Sequence, residues 1–148
     1  MPVRSKNMRR IVLAVAGLSV AVMAMAEESS LDCDHAMTTL DINQCTAVQL
    51  ESAQSELSQY VEASVNHHVD DPELLAAIED SQQAWEAYAA AHCDAVHTQW
   101  REGSIRGVMA LTCKTQLTQQ RTHTVWESFL TYMDSTPPVL PEPSRLIK

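Results

Sequence analysis

The cysteines and histidines in the middle of the chain are the side chains best suited to metal chemistry. Cys93 and His97 lie four positions apart, with His92 directly before the cysteine. Residues four apart share one face of a helix, so a thiolate and an imidazole there could form part of a metal site. A disulfide at Cys93 would remove that thiolate, so we expect no metal site. Metal or haem handling stays as an alternative, and its ligands would come from His92, His97, His123, His67 and His68.

The remaining polar residues do not suggest catalysis. No serine, histidine and acid follow one another in an order typical of a triad, and no nucleophile-elbow motif is present. The chain has three glycines, Gly17, Gly103 and Gly107, too few and too scattered for a phosphate-binding loop. The sequence therefore predicts a protein that is not an enzyme and carries no cofactor.

Residues 1–26 have the pattern of a secretory signal peptide. Basic residues precede an apolar run from Ile11 to Met23, and Ala24-Met25-Ala26 matches a small-x-small cleavage site. The run is shorter than the ~20 apolar residues that a membrane span needs. We predict cleavage after Ala26, a periplasmic or secreted mature protein, and no stable membrane insertion after cleavage.

Four cysteines in an exported chain predict two disulfides, for which three connectivities exist. Cys93 and Cys113 each lie ten positions from Gly103. Equal distances from a tight turn bring two residues to the same height on facing helices. We favour Cys33–Cys45 together with Cys93–Cys113. In the alternative, Cys45 bonds across the bundle and Cys33 reaches another helix.

Two helices are predicted before residue 103. The first begins near Thr38, which forms a capping-box pattern with Asp41, and it should fray at residues 66–68. The second begins at Asp71-Pro72, because the aspartate can accept from free first-turn amides and proline suits the first helical position. In both segments apolar residues recur at steps of three and four. We expect the two helices to face each other across a turn near residue 69.

A third helix should follow the turn at Gly103-Ser104. Gly103 is expected to be left-handed and Ser104 to cap the helix, which runs from about residue 105 or 107 to Met133. The middle of its apolar stripe is polar. Residues 134–148 contain four prolines and should form an extended or disordered tail. The predicted fold is an all-α antiparallel bundle of three long helices over residues 27–133, stapled by two disulfides.

The larger side chains of Arg121 and the three tryptophans are expected to stabilise the fold rather than to contact a partner. Arg121 is expected to bond a carboxylate or helix carbonyls rather than a partner. Core positions are expected for the tryptophans Trp85, Trp100 and Trp126.

The mature chain would be strongly acidic. Export would leave six Lys and Arg against nineteen Asp and Glu, a formal net charge of −13. Such a surface repels nucleic acid and attracts cationic proteins, although solubility alone is an alternative reason for it. The candidate contacts for a cationic partner are Glu51, Glu56, Glu73, Glu79, Asp80, Glu86 and Glu102.

Three blocks of residues in order carry a resemblance to a known family. They are Cys33, Asn43, Cys45, Ala53, Leu57 and Tyr60; then Gln82, Trp85, Tyr88 and Cys93; then Gly103, Ser104, Cys113, Leu117, Thr118 and Arg121. Their order and spacing resemble the lysozyme inhibitor LprI-like family of small secreted bacterial helical domains, over residues 33 to about 130. Ala89-Ala90 replace the Arg-Asp that the family usually has, and Ser58 stands where it often has Asn.

The resemblance implies a non-enzymatic periplasmic or secreted binding protein. Its partner would be a cationic protein such as lysozyme, inhibited through an acidic surface. The sequence leaves the oligomeric state open.

Overall fold

The computed structural model describes residues 31–144, which form three long helices and a C-terminal tail. Helix α1 is Thr39–His67, α2 is Pro72–Gln99 and α3 is Arg106–Phe129. Residues 31–144 contain no strand, which confirms the all-α class. None of the described helices has the length and apolar character that a membrane crossing requires. The predicted signal peptide, residues 1–26, lies outside the described residues.

The predicted starts of α1 and α2 are confirmed. The Thr38 hydroxyl accepts from the Asp41 amide at 3.1 Å, and the Asp41 carboxylate accepts from the Thr38 amide at 3.2 Å. The Asp71 carboxylate accepts from the Leu74 amide at 3.0 Å, and Pro72 is the first residue of α2. Each cap satisfies amides that the first turn of a helix leaves without a backbone partner.

The connection between α2 and α3 differs from the prediction. Gly103 does not have a positive φ, and Ser104 does not cap α3. The residue before the helix is Ile105, which makes no side-chain capping bond. Gly103 donates its amide to the Trp100 carbonyl at 2.8 Å, and the Arg106 amide donates to the Gly103 carbonyl at 3.4 Å. Successive right-handed turns thus reverse the chain without a left-handed residue.

Helix α3 is the central helix. It packs along both α1 and α2, whereas α1 and α2 barely meet. The expectation that α1 and α2 face each other is therefore wrong. The cause lies in the polar stripe of α3, where Thr115, Thr118 and Thr122 are buried. Thr115 and Thr122 donate their hydroxyls to the carbonyls four residues earlier, so these small side chains can be buried between two neighbours.

The main core lies where α1, α3 and the tail meet. Leu57, Tyr60, Val125 and Leu130 are buried together. Two of the tryptophans, Trp85 and Trp126, are half-buried and pack against this cluster, as expected. The third, Trp100, is 41% exposed, so its assignment to the core is wrong. It caps the C-terminal end of α2, where the chain leaves the bundle for the turn.

The end of α3 departs from the prediction, whereas the tail agrees with one of the two alternatives predicted for it. Helix α3 ends at Phe129 rather than Met133, because Leu130 turns into the core and its carbonyl accepts from the Val139 amide at 2.8 Å. The tail is non-helical, as predicted, and it lies against α1 and α3. Tyr60 donates its hydroxyl to the Pro141 carbonyl at 2.8 Å, and the Trp126 indole donates to the Leu140 carbonyl at 2.9 Å.

Both favoured disulfides are present. Cys93–Cys113 joins α2 to α3 with a Cα–Cα distance of 5.7 Å. Cys33–Cys45 ties the N-terminal segment to α1 with a Cα–Cα distance of 5.6 Å. The symmetric placement of Cys93 and Cys113 around residue 103 favoured the first pair, and the alternative in which Cys45 bonds across the bundle is not observed.

Candidate functional site

A groove runs between α1 and α2, because these helices contact α3 rather than each other. Its first section, of about 490 Å³, has Thr118 of α3 in its lining. A second section, of about 460 Å³, adjoins the first, since both are lined by Val61, Gln82 and Glu86. We call the two sections together the α1–α2 groove. Its apolar lining consists of Leu57, Val61, Val65, Leu75, Ile78 and Trp85.

Helical spacing places these apolar residues on the groove. Leu57, Val61 and Val65 follow each other at steps of four along α1, so they share one face. On this face exposure rises along the helix, since Leu57 is 6% exposed and Val65 is 39% exposed. Opposite them, Ile78 of α2 is buried. The groove therefore has a packed interior and an apolar surface that solvent still reaches.

Three exposed carboxylates border this apolar surface: Glu62 on α1, and Glu79 and Glu86 on α2. Glu86 accepts from the Gln82 amide at 3.2 Å, and Glu79 accepts from the Gln83 amide at 3.4 Å. Within residues 31–144, none of the three carboxylates forms an ion pair with Lys or Arg. Their charge is therefore available to a partner.

The charges of the molecule are divided among its helices. Helices α1 and α2 together contain nine Asp and Glu and no Lys or Arg. Helix α3 contains Arg106, Lys114 and Arg121, with Glu127 as its only acid. The two walls of the groove thus belong to the acidic helices, and its floor belongs to the basic one.

The structure brings some of the sequence-predicted acidic residues together and not others. Glu79 and Glu86 both line the α1–α2 groove, while Glu102 lies in the α2–α3 turn, where it pairs with Arg101 at 3.4 Å. Glu56 faces the tail and accepts from the Ser144 amide at 3.0 Å. The other candidates, Glu51, Glu73 and Asp80, are exposed and line neither section of the groove.

Sequence reasoning missed Glu62. This carboxylate directly follows Val61 in the chain, and Val61 belongs to the apolar stripe of α1. An acid adjacent to an apolar stripe lies at the edge of the buried face of a helix, and this pattern could have identified it.

A hydrogen-bonded chain connects the central helix to the groove. Arg121 of α3 donates from Nε to Gln82 Oε1 at 3.0 Å and from Nη2 to Ser81 Oγ at 2.8 Å. Gln82 in turn donates to Glu86. Burial lowers the pKa of the Arg121 guanidinium. The bonding partners are an amide and a hydroxyl, so the expectation of a carboxylate or helix carbonyls was wrong in its detail.

The other residues of the three sequence blocks divide between interior and surface. Leu57, Tyr60 and Thr118 are buried, and Trp85 is half-buried. Tyr88 is 55% exposed, and its ring stacks on that of His92 at a centroid distance of 5.5 Å. The blocks therefore consist largely of residues that set the positions of the helices.

The histidines do not assemble a metal site in the part of the chain that the structure describes, where no three His, Cys, Asp or Glu lie close enough to hold an ion. Cys93 is oxidised, so it offers no thiolate. His68 lies with Nε2 3.0 Å from the carbonyl of Phe129 at the end of α3. His123 lies 3.6 Å from the Glu142 carboxylate of the tail.

The chain is a small helical domain that is cross-linked by two disulfides and has a groove bordered by carboxylates. The family model described as Lysozyme inhibitor LprI matches residues 32–124, and this chain belongs to that family. The resemblance drawn from the three sequence blocks is thereby confirmed. The family is one of secreted or periplasmic inhibitors.

One relative is an uncharacterized protein of Rhizobium meliloti (strain 1021). It is 27% identical to this chain over 110 residues, which cover 67% of this chain and 79% of the relative. No solved structure matches the chain.

Proposed function

We propose that this chain is a non-enzymatic periplasmic or secreted binding protein that inhibits a lysozyme through its acidic helices. Membership of the Lysozyme inhibitor LprI family supports the inhibitory role. The observation that carries the proposal is the division of charge, since α1 and α2 hold nine acids and no Lys or Arg. An acidic surface of this kind attracts a cationic protein and speeds its association.

The polar groups of the α1–α2 groove suit binding. Carboxylates form ion pairs with Lys and Arg and accept charge-assisted hydrogen bonds from them. The side-chain amides of Gln82 and Gln83 already orient the carboxylates of Glu86 and Glu79. The half-buried Trp85 adds an indole beside the carboxylates. An indole favours arginine, which can stack on it while forming an ion pair.

A lysozyme assay on a cell-wall suspension tests the proposal directly. The chain purified from the periplasm should slow lysis at low salt, and the inhibition should weaken at ~0.5 M salt because screening shortens the range of electrostatic attraction. The matched control is the chain with its disulfides reduced and its cysteine thiols blocked by iodoacetamide, which leaves all Asp, Glu, Lys and Arg side chains unchanged. Full lysozyme activity at low salt in the presence of excess native protein would refute the proposal.

A further inference from the structure

The α1–α2 groove combines two properties that suit it to binding. It leaves apolar side chains open to solvent, with Val65 exposed and Val61 and Trp85 half-buried, and it borders them with Glu62, Glu79 and Glu86. A purely electrostatic surface would need only the carboxylates. An apolar surface next to carboxylates is complementary to a segment that carries both apolar and cationic side chains.

We propose that the α1–α2 groove is the docking site for a cationic amphipathic segment of a partner protein. One apolar side chain of that segment packs on Val61 and Trp85, and flanking Lys or Arg side chains pair with Glu62 and Glu86. This inference rests on the proposed function and narrows it, because it assigns the contact to one groove and states the chemistry of the segment that enters.

The size of the groove suits such an occupant. Along α1 its lining extends from Gln54 to Val65, eleven positions, which corresponds to about 16 Å at the rise of an α-helix. That length matches about three turns of a partner helix, which would lie in the groove as amphipathic helices do in other hydrophobic grooves.

Charge argues against a second copy of this chain as the occupant. The full chain has a formal net charge of −9, and both walls of the groove belong to helices without Lys or Arg. Two such grooves brought together would place carboxylates against carboxylates, which repel. A cationic partner gains from the same charges.

The probe for the experiment is a synthetic twelve-residue helical peptide with leucines on one face and lysines on the flanks, labelled with a fluorophore. We expect saturable binding by fluorescence anisotropy at low salt. A peptide of equal charge with serine for leucine should bind at least about five-fold more weakly, because it loses the apolar contact. Equal binding of the two peptides would overturn the inference.

Matched variants locate the contact. Glu86→Gln should weaken peptide binding about three-fold, whereas Glu51→Gln, which removes an exposed acid of α1 outside the groove, should change it less than two-fold. Val61→Ser should weaken binding about five-fold, and Val48→Ser, an exposed valine outside the groove, should not. If Val61→Ser lowers the thermal midpoint, the more exposed Val65→Ser replaces it. Equal effects of the groove variants and their controls would overturn the inference.

The lysozyme assay separates this inference from the proposed function. If the native chain inhibits lysozyme and Glu86→Gln and Val65→Ser inhibit equally well, the groove inference fails and the function stands. If the native chain does not inhibit lysozyme but binds the leucine-lysine peptide in the groove, the groove inference stands and the function fails. A concentration-dependent dimer in sedimentation that Glu86→Lys strengthens and that excludes the peptide would assign the groove to a second copy and overturn the inference.

Discussion

Arg121 of α3 donates from Nε to Oε1 of Gln82 in α2, at 3.0 Å across 39 positions of sequence. The same guanidinium donates to Ser81, and the same glutamine donates to Glu86 on the groove. The relationship links the central helix to the acidic wall of the α1–α2 groove. It also fixes the height of α2 against α3, in addition to the Cys93–Cys113 disulfide.

Removing this guanidinium should destabilise the fold. We expect Arg121→Ala to lower the free energy of unfolding by about 1.5–3 kcal/mol, the range for hydrogen bonds to a charged group. Urea unfolding measures it. Arg101→Ala is the matched control, because that arginine is exposed, and it should change stability by no more than about 0.5 kcal/mol. Equal losses in the two variants would contradict a structural role for Arg121.

The two disulfides should differ in their contribution. A disulfide reduces the conformational entropy of the unfolded chain, and for a loop of about 15 residues this stabilises the folded state by about 3 kcal/mol. Replacing Cys93 and Cys113 by Ala should lower the free energy of unfolding more than replacing Cys33 and Cys45 by Ala. Cys93 is 0% exposed, and the Cys93–Cys113 pair spans 20 positions of sequence against 12 for Cys33–Cys45. Thermal unfolding of both double variants provides the comparison. A larger loss from the Cys33–Cys45 pair would show that the core does not depend on the α2–α3 link.

The tail should contribute to stability through Leu140. Its half-buried side chain packs against the core cluster, so Leu140→Ala should lower the free energy of unfolding by about 1–2 kcal/mol, less than for a fully buried leucine. Denaturant titration measures the change. Val139→Ala is the control, since Val139 is 38% exposed and uses its backbone amide to bond Leu130. If both variants are as stable as the native chain, the tail does not pack in solution.

The Tyr60 phenol should make stability fall at alkaline pH. Burial raises its pKa above the ordinary value of about 10, and the nearby Glu56 carboxylate raises it further. A raised pKa means that the folded state favours the neutral phenol. Its contribution is therefore full below about pH 10 and is lost as pH rises through the folded pKa.

Tyr60→Phe isolates this effect. Near pH 8 the variant should be less stable than the native chain by about 0.5–1.5 kcal/mol, because it lacks the bond to the Pro141 carbonyl. Near pH 11 the difference should shrink, because a phenolate cannot donate that bond. Urea unfolding at both pH values measures it, and a difference that does not change with pH would contradict the account.

Local chemistry made several features predictable from sequence. Thr38 and Asp71 start helices because their side chains accept from first-turn amides. Equal distances from the turn favoured pairing of Cys93 with Cys113, and the two are bonded. These signals lie within one helix or one hairpin, so they do not require knowledge of the tertiary arrangement.

Features that depend on tertiary packing were not predictable. The buried stripe of α3 includes Thr118 and Thr122, but its polar character gives no sign that α3 packs along both other helices. The tail has no periodicity, so nothing in its sequence indicates that Pro141 meets Tyr60, 81 positions away. The groove itself follows from the central position of α3, which no local pattern in the sequence indicates.

The central claim is that a lysozyme binds at the α1–α2 groove, and amide chemical-shift mapping of the labelled protein tests it most directly. Lysozyme added at low salt should produce saturable shifts concentrated at groove residues such as Val61, Gln82 and Glu86. Gln116 and Gln119, which line a separate depression between α1 and α3, should change little. Shifts centred on Gln116 and Gln119, or no saturable shifts at all, would contradict the account.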